Sequence, residues 1–248
     1  MKIIYILWLR QIKRFVRSKS RIIGSVVQPL MFLLALGFGF GSIFEKAGGG
    51  SYIQFLAPGI IAMSVLFTSI FSGMEIIWDR QFGFLKETLV APVSRYQIML
   101  GRTLGGATVA FLQGCVVFFV ALMVGFHPVS GLGILLGFII MLVTSIIFTA
   151  FGIAIASKLD DPHGFQTIMN FLVQPLFFLS GALFPLDNLP KALGNIIRIN
   201  PLSYAVDGMR GAFTGVTHFG LGLDVVVLGI VMFGMLSLGA YLFTKIQI

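Results

Sequence analysis

The chain has 248 residues, of which 57% are hydrophobic and 10% charged, and its formal charge is +8. A soluble domain carries about 25% charged residues, so this composition excludes a soluble globular protein, whose helices would leave apolar outer faces uncovered. The basic residues flank apolar runs, which points to membrane orientation and anionic headgroups and away from nucleic acid.

The first segment, 1–21, reads as a basic amphipathic helix. On a helical wheel Ile4, Tyr5, Trp8, Leu9, Ile12, Phe15 and Val16 share one broad arc, while Arg10, Lys13, Arg14 and Arg17 fall opposite. Ile6 is the main intruder. Such a helix is expected in the membrane interface, aromatics toward lipid and charges toward headgroups or cytosol. The first apolar run starts near residue 22 and is as long as a span, longer than the h-region of a signal peptide, and no A-x-A-like site follows it.

Six spans are expected at about 22–44, 55–78, 97–125, 133–157, 165–184 and 223–244. Each is near or above the roughly 20 residues that cross the hydrocarbon. With the N-terminus in the cytoplasm, 13 of the 17 Lys and Arg residues face inward, leaving only Lys46, Lys191, Arg198 and Arg210 outside. That bias places both termini in the cytoplasm. The fifth span contains Asn170, Gln174 and Pro175, and the proline predicts a kink.

Several chemistries are missing. No ionisable residue is expected near a span centre, where ion-coupled transporters usually carry one. Glu75, Asp79 and Glu87 fall at or beyond the inner end of the second span, and Arg102 lies about one turn into the third. There is no GxxxxGK[ST] run, hence no nucleotide-binding P-loop of the chain's own. His127, His163 and His218 are scattered over loops, no HExxH or GxSxG motif exists, and no metal site is expected. The single cysteine, Cys115, lies in an apolar run and reads as a small buried hydrophobe. An intramembrane enzyme would need such groups clustered. Uphill transport would therefore draw its energy from another chain.

Between the second and third spans stands RQFGFLKETLVAPVSR. Its periodicity predicts a short helix over 80–92, with Phe82, Leu85 and Leu89 on one apolar face toward the membrane. Arg80 and Glu87 lie opposite, Lys86 is on the flank, and Phe84 and Val90 point off the stripe. Pro92 ends the helix. Exposed apolar side chains on a charged helix mark a partner contact, although an ordinary amphipathic loop helix would share the pattern. After the fifth span, 185–213 reads as an outer helical hairpin. Pro190 opens one helix at its first turn, with Leu193, Ile196 and Ile197 as its stripe, and Asn200-Pro201 closes it. A second helix is expected around residues 203–213.

KETLVAPVSRYQIMLGR, residues 86–102, resembles the signature of ABC-2-type transporter permeases, matching at Glu87, Thr88, Leu89, Pro92, Val93, Ser94, Arg95, Gly101 and Arg102. FFLSGALFPLDNLPKALGNIIRINPLSYAVDGMRG, residues 177–211, resembles that family's second block. The Lys86-Glu87-Thr88 run departs from the Gly-Thr that members often have after the acid.

The resemblance implies an all-helical membrane domain over 1–248 that forms a dimer, most simply a homodimer. It implies a separate cytoplasmic ATPase subunit that carries ATP and Mg, and location in the plasma membrane of a prokaryote. The helix over 80–92 would be the coupling helix, docking the ATPase through Phe82, Phe84, Leu85, Lys86, Glu87, Thr88 and Leu89. Asn170, Gln174, Phe184, Pro185, Pro190, Asn200 and Pro201 would line the pathway or an outer gate. The expected function is ATP-driven export of a hydrophobic or amphipathic substrate such as a drug, a lipid or a lipid-linked glycan. An ion-coupled secondary transporter is the alternative, and a membrane scaffold a third reading.

Overall fold

The structure, a computed structural model, describes residues 2–46, 50–90, 92–186 and 190–246. Among them every regular element is an α-helix: α1 (Lys2–Arg17), α2 (Lys19–Lys46), α3 (Tyr52–Ser72), α4 (Met74–Gln81), α5 (Phe84–Val90), α6 (Arg95–Val124), α7 (Gly131–Ala156), α8 (Pro162–Phe178), α9 (Lys191–Ile199), α10 (Pro201–Thr214) and α11 (Leu221–Thr244). Residue 91 of the helix expected over 80–92 and residues 187–189 of the hairpin expected over 185–213 lie outside the described residues.

Helix boundaries follow local chemistry. Ser94, Ser130 and Asp161 cap α6, α7 and α8, each side chain accepting a backbone N–H three residues on, at 3.3, 3.0 and 2.7 Å. Gly125 and Gly215 end α6 and α10 in the left-handed region, at φ +109° and +77°, which a residue without Cβ adopts at no steric cost.

Helix α3 is the centre, buried along most of its length against α2, α6, α7 and α10. It meets α7 where both backbones are bare. A Cβ on Gly73 would lie 2.4 Å from the Gly152 carbonyl oxygen, and one on Gly152 would lie 2.4 Å from that of Ile70. Apolar burial drives little association in lipid, so close crossings at small residues supply the packing. Toward the other end, Phe118, Phe126, Phe138 and Phe213 form a ring cluster with centroids 5.1–6.4 Å apart.

Among the described residues five helical stretches are long and apolar enough to cross a membrane: Val26–Lys46, Tyr52–Gln81, Arg95–Val124, Gly131–Ala156 and Leu221–Thr244. The expected fifth span departs from the reading over 165–184, because α8 has 17 residues and stops at Phe178. At 1.5 Å per residue that is about 26 Å, short of roughly 30 Å of hydrocarbon. The chain then turns through Gly181, at φ +75°.

The chain reversals define two ends. At the basic end lie α1, α4, α5, the starts of α6 and α8, and the final turns of α7 and α11. At the far end lie α9, α10 and the starts of α3, α7 and α11.

Candidate functional site

Helix α1, expected in the interface, is docked on the bundle. It packs along the first turns of α6, where Gly101 and Gly105 leave room for Ile4, Leu7, Trp8 and Gln11. A Cβ on Gly105 would lie 2.6 Å from the Gln11 side chain. Trp8 Nε1 donates to Thr108 Oγ1 at 3.0 Å. Leu7, Gln11 and Phe15 are buried, whereas Tyr5, Ile6 and Val16 remain exposed. The wheel was thus right about amphipathicity, but the face that packs is rotated toward Leu7 and Gln11, because glycines on α6 decide where α1 sits.

This docking brings the charges of α1 over the α4 turn. Arg10 donates from both terminal nitrogens to Asp79, at 2.8 and 2.9 Å. Arg102, only 2% exposed, pairs with Oδ2 of the same carboxylate at 2.7 Å, the oxygen that also accepts from Arg10 Nη1. Arg14 approaches Glu75 at 3.6 Å. Arg10 and Arg14, expected to face headgroups or cytosol, are therefore turned inward by acids on α4. Lys13 and Arg17 are exposed. The Asp79 hydrogen bond raises the Arg10 pKa above its ordinary value, against the lowering by burial. Asp79 is the node: it ties α1, α4 and α6 together at one point.

Arg10 extends the node to α5, since its guanidinium stacks 3.8 Å from the Phe84 ring centroid, a favourable cation–π placement. The helix expected over 80–92 begins later than predicted. Gly83, at φ +80°, breaks the chain between α4 and α5, and α5 has only seven residues. That break rotates the stripe. Leu85 and Thr88 are buried, Thr88 Oγ1 bonding the Phe84 carbonyl at 2.9 Å, and Leu89 is half-buried. Phe82, read on one apolar face with Leu85 and Leu89, does not share their burial: it is 84% exposed, and Val90 is 82% exposed. Lys86 and Glu87 project outward beside them. The result is an anchored helix that exposes Lys86, Glu87 and Val90, with Phe82 exposed in the turn before it.

At the far end the second motif block explains itself as capping chemistry. The last turn of α8 leaves carbonyls without intrahelical donors. Asn200 Nδ2 donates to Leu176 O at 2.7 Å and Leu179 O at 3.2 Å, and its Oδ1 accepts the Leu202 N–H that opens α10. Arg210 donates to Gly181 O at 2.8 Å and stacks 3.9 Å from Phe55. Tyr52 donates to Leu183 O at 2.9 Å. Gly59 admits the Ala182 backbone, since a Cβ there would meet its oxygen at 2.3 Å. Pro201 occupies the first turn of α10, while Pro190 is the N-cap residue of α9, one place earlier than read. Phe184 is exposed and Pro185 half-buried. Arg210, counted with the residues outside, is buried on α10. Burial pushes its pKa down to about 10, opposed by Asp207, and it stays cationic at neutral pH.

Asn170 and Gln174 are exposed on α8, and Gln166 falls one turn before them on the same face. The residue missed there had the same signal, a polar side chain at spacing four. A cavity of about 220 Å³ opens between α2 and α3, lined by Phe15, Gln28, Met63, Ser64, Phe67 and Phe71 among others. Ser64 Oγ is buried there without a hydrogen-bond partner.

Asp79 and Arg102 themselves were not expected as a pair. An arginine one turn inside an apolar run demands a counter-charge, and that demand was the available signal.

Comparison with known proteins agrees with this architecture. Residues 3–214 match the family described as ABC-2 type transporter. The chain is 33% identical over 211 residues to ycf38 of Cyanophora paradoxa, named as a transport permease, covering 79% of this chain and 70% of that one. It is 29% identical over 198 residues to Nodulation protein J of Rhizobium leguminosarum bv. viciae, covering 79% and 76%. It is 27% identical over 215 residues to Inner membrane transport permease YadH of Escherichia coli K12, covering 85% and 82%.

Proposed function

The chain belongs to the ABC-2 type transporter family, and on that premise we propose that it is the membrane permease of an ATP-driven exporter, worked by a separate ATPase subunit. The observation that carries this reading is α5. It stands at the basic end with Leu85 and Thr88 buried and Phe84 under Arg10, so it is held rigidly. Its outward face, Lys86, Glu87 and Val90, and the exposed Phe82 just before it have no covering element among the described residues. Such a surface suits a cleft in a cytoplasmic partner, and ATP and Mg act on that partner. The basic end then faces the cytoplasm, with both termini.

The permease works as a homodimer. The exposed ladder Gln166, Asn170 and Gln174 on α8 supports this, since polar side chains at membrane depth favour a facing helix over lipid. The α8 helix with the turn to Leu183 supplies a sixth crossing, making a six-span subunit with an outer cap of α9 and α10. The cavity between α2 and α3 combines aromatic walls with Ser64, Thr68 and Gln28. That lining fits a hydrophobic or amphipathic substrate, such as a drug, a lipid or a lipid-linked glycan.

The test is co-purification of the tagged chain from native membranes with an ATP-binding-cassette subunit, compared with Glu87→Arg. The expected result is recovery of the ATPase by the native chain and its loss from a variant that still folds. Full association of the Glu87→Arg variant would remove α5 as the docking element. Failure of the native chain to recover an ATPase would return the ion-coupled reading to first place.

A further inference from the structure

A second cluster of cations at the basic end takes no part in the Asp79 node. Arg95 opens α6, Lys158 follows α7 and Lys245 follows α11. With Arg80 and Asp160 they border an open groove of about 850 Å³. Arg80 is committed: it pairs with Asp160 and reaches the carbonyls of Ser157 and Leu159. Arg95 uses one terminal nitrogen on the carbonyls of Thr244 and Ile246, at 2.6 and 2.9 Å, which fixes the end of α11 beside the start of α6. Lys245 bonds the Tyr241 hydroxyl. Among the described residues none of Arg95, Lys158 and Lys245 forms an ion pair with a carboxylate. Three helix termini thus bring three cations to one opening, and its one acid is already paired.

We propose that this groove binds the phosphate of an anionic phospholipid headgroup. Charge alone would serve free phosphate equally well, but the surface leading to the groove is apolar. Val226, Ile230, Phe233 and Tyr241 recur at helical spacing along α11 and are 60%, 68%, 68% and 56% exposed. That stripe covers about 23 Å of α11 and ends at Tyr241, beside Lys245. Acyl chains lie along the stripe, Tyr241 sits at the interface where amphipathic rings are favoured, and the phosphate meets the fixed Arg95 guanidinium flanked by two mobile ammonium groups. Each surface cation near an anionic headgroup is worth about fivefold in affinity. The site fastens the ends of α6, α7 and α11 to the leaflet on the side that also carries α5.

The experiment uses the full chain purified in detergent and titrated with short-chain phosphatidylglycerol, phosphatidylcholine or inorganic phosphate, with retained lipid counted by native mass spectrometry. Phosphatidylglycerol should be retained over phosphatidylcholine. Lys158→Ala with Lys245→Ala, both exposed, should weaken it about 30-fold. Lys158→Arg with Lys245→Arg should restore it, and the charge-matched control Lys191→Ala with Arg198→Ala at the far end should leave it unchanged. Equal retention by the double alanine variant overturns the site. So does inorganic phosphate that competes at the lipid's own affinity, which would make the groove a free-anion site. Loss of a co-purifying protein with lipid retention intact would assign the groove to a protein partner and also overturn the proposal.

Discussion

Replacing Asp79 with Asn tests the node at the basic end. The substitution keeps the shape and removes the charge that two arginines share. Arg10 is 32% exposed at its side chain, so water and salt screen it, and its loss costs at most about 1 kcal/mol. Arg102 is 2% exposed, and its Nε and Nη1 already lack hydrogen-bond partners. Stripping the carboxylate leaves that guanidinium buried without its nearest counter-charge, which costs about 3–5 kcal/mol. The sum, roughly 4 kcal/mol, should appear as a clear shift in unfolding of the detergent-solubilised protein along an SDS titration. The companion is Asp79→Leu with Arg102→Met. Removing both charges in favour of apolar groups should recover most of the loss, because the penalty belongs to the orphaned cation. If Asp79→Asn costs less than about 1 kcal/mol, Arg102 is not held as described and the node has no structural weight.

Two further expectations concern packing and capping. Gly152→Ala places a methyl against the Ile70 backbone, which cannot rotate away as a side chain could, so about 3 kcal/mol of stability should be lost, with Gly24→Ala, which meets nothing within 4 Å, as the neutral control in the same titration. Asn200→Ala removes the α10 cap and uncovers two α8 carbonyls, and should cost about 2–3 kcal/mol while exposing the segment after Phe178 to limited proteolysis; unchanged protection there would contradict the capping role.

The helices were legible wherever apolar runs were long, because hydropathy over about 20 residues reports span existence directly. The α5 region was legible as a helix but not in its rotation. Gly83 resets the phase, so a wheel carried through from Arg80 put Phe82 on the wrong face. Arg10 and Arg14 were read from the pattern of one helix, which cannot see acids 69 and 61 positions away; only docking on Gly101 and Gly105 brings them together. The second motif block was recognised as a unit. Its reason, that Asn200 and Arg210 cap the end of another helix, required the fold. Helix α8 was overextended because Gly181 and the turn at Leu179 sit inside a run that hydropathy alone treats as continuous.

Helix α8 is fastened unevenly. Its far end is held by Asn200, Ser203 and, just beyond it, Arg210 and Tyr52. Along its length it touches α3 mainly through the edges of Phe165 and Phe177 against Phe71 and Phe67. Its other end hangs from the loop whose Asp160 is gripped by Arg80 on α4, next to the break that leads into α5. Mechanically this is a cantilever: clamped at one tip, resting on ring edges along its length, and tied at the opposite tip to the Arg80–Asp160 pair. A pivot of 10° about the clamp, over about 26 Å of helix, swings the opposite tip by roughly 4–5 Å while the clamped tip scarcely moves. Any rigid rotation of α8 about that clamp would therefore grade from almost no displacement at one end of the helix to nearly the width of a strand spacing at the other.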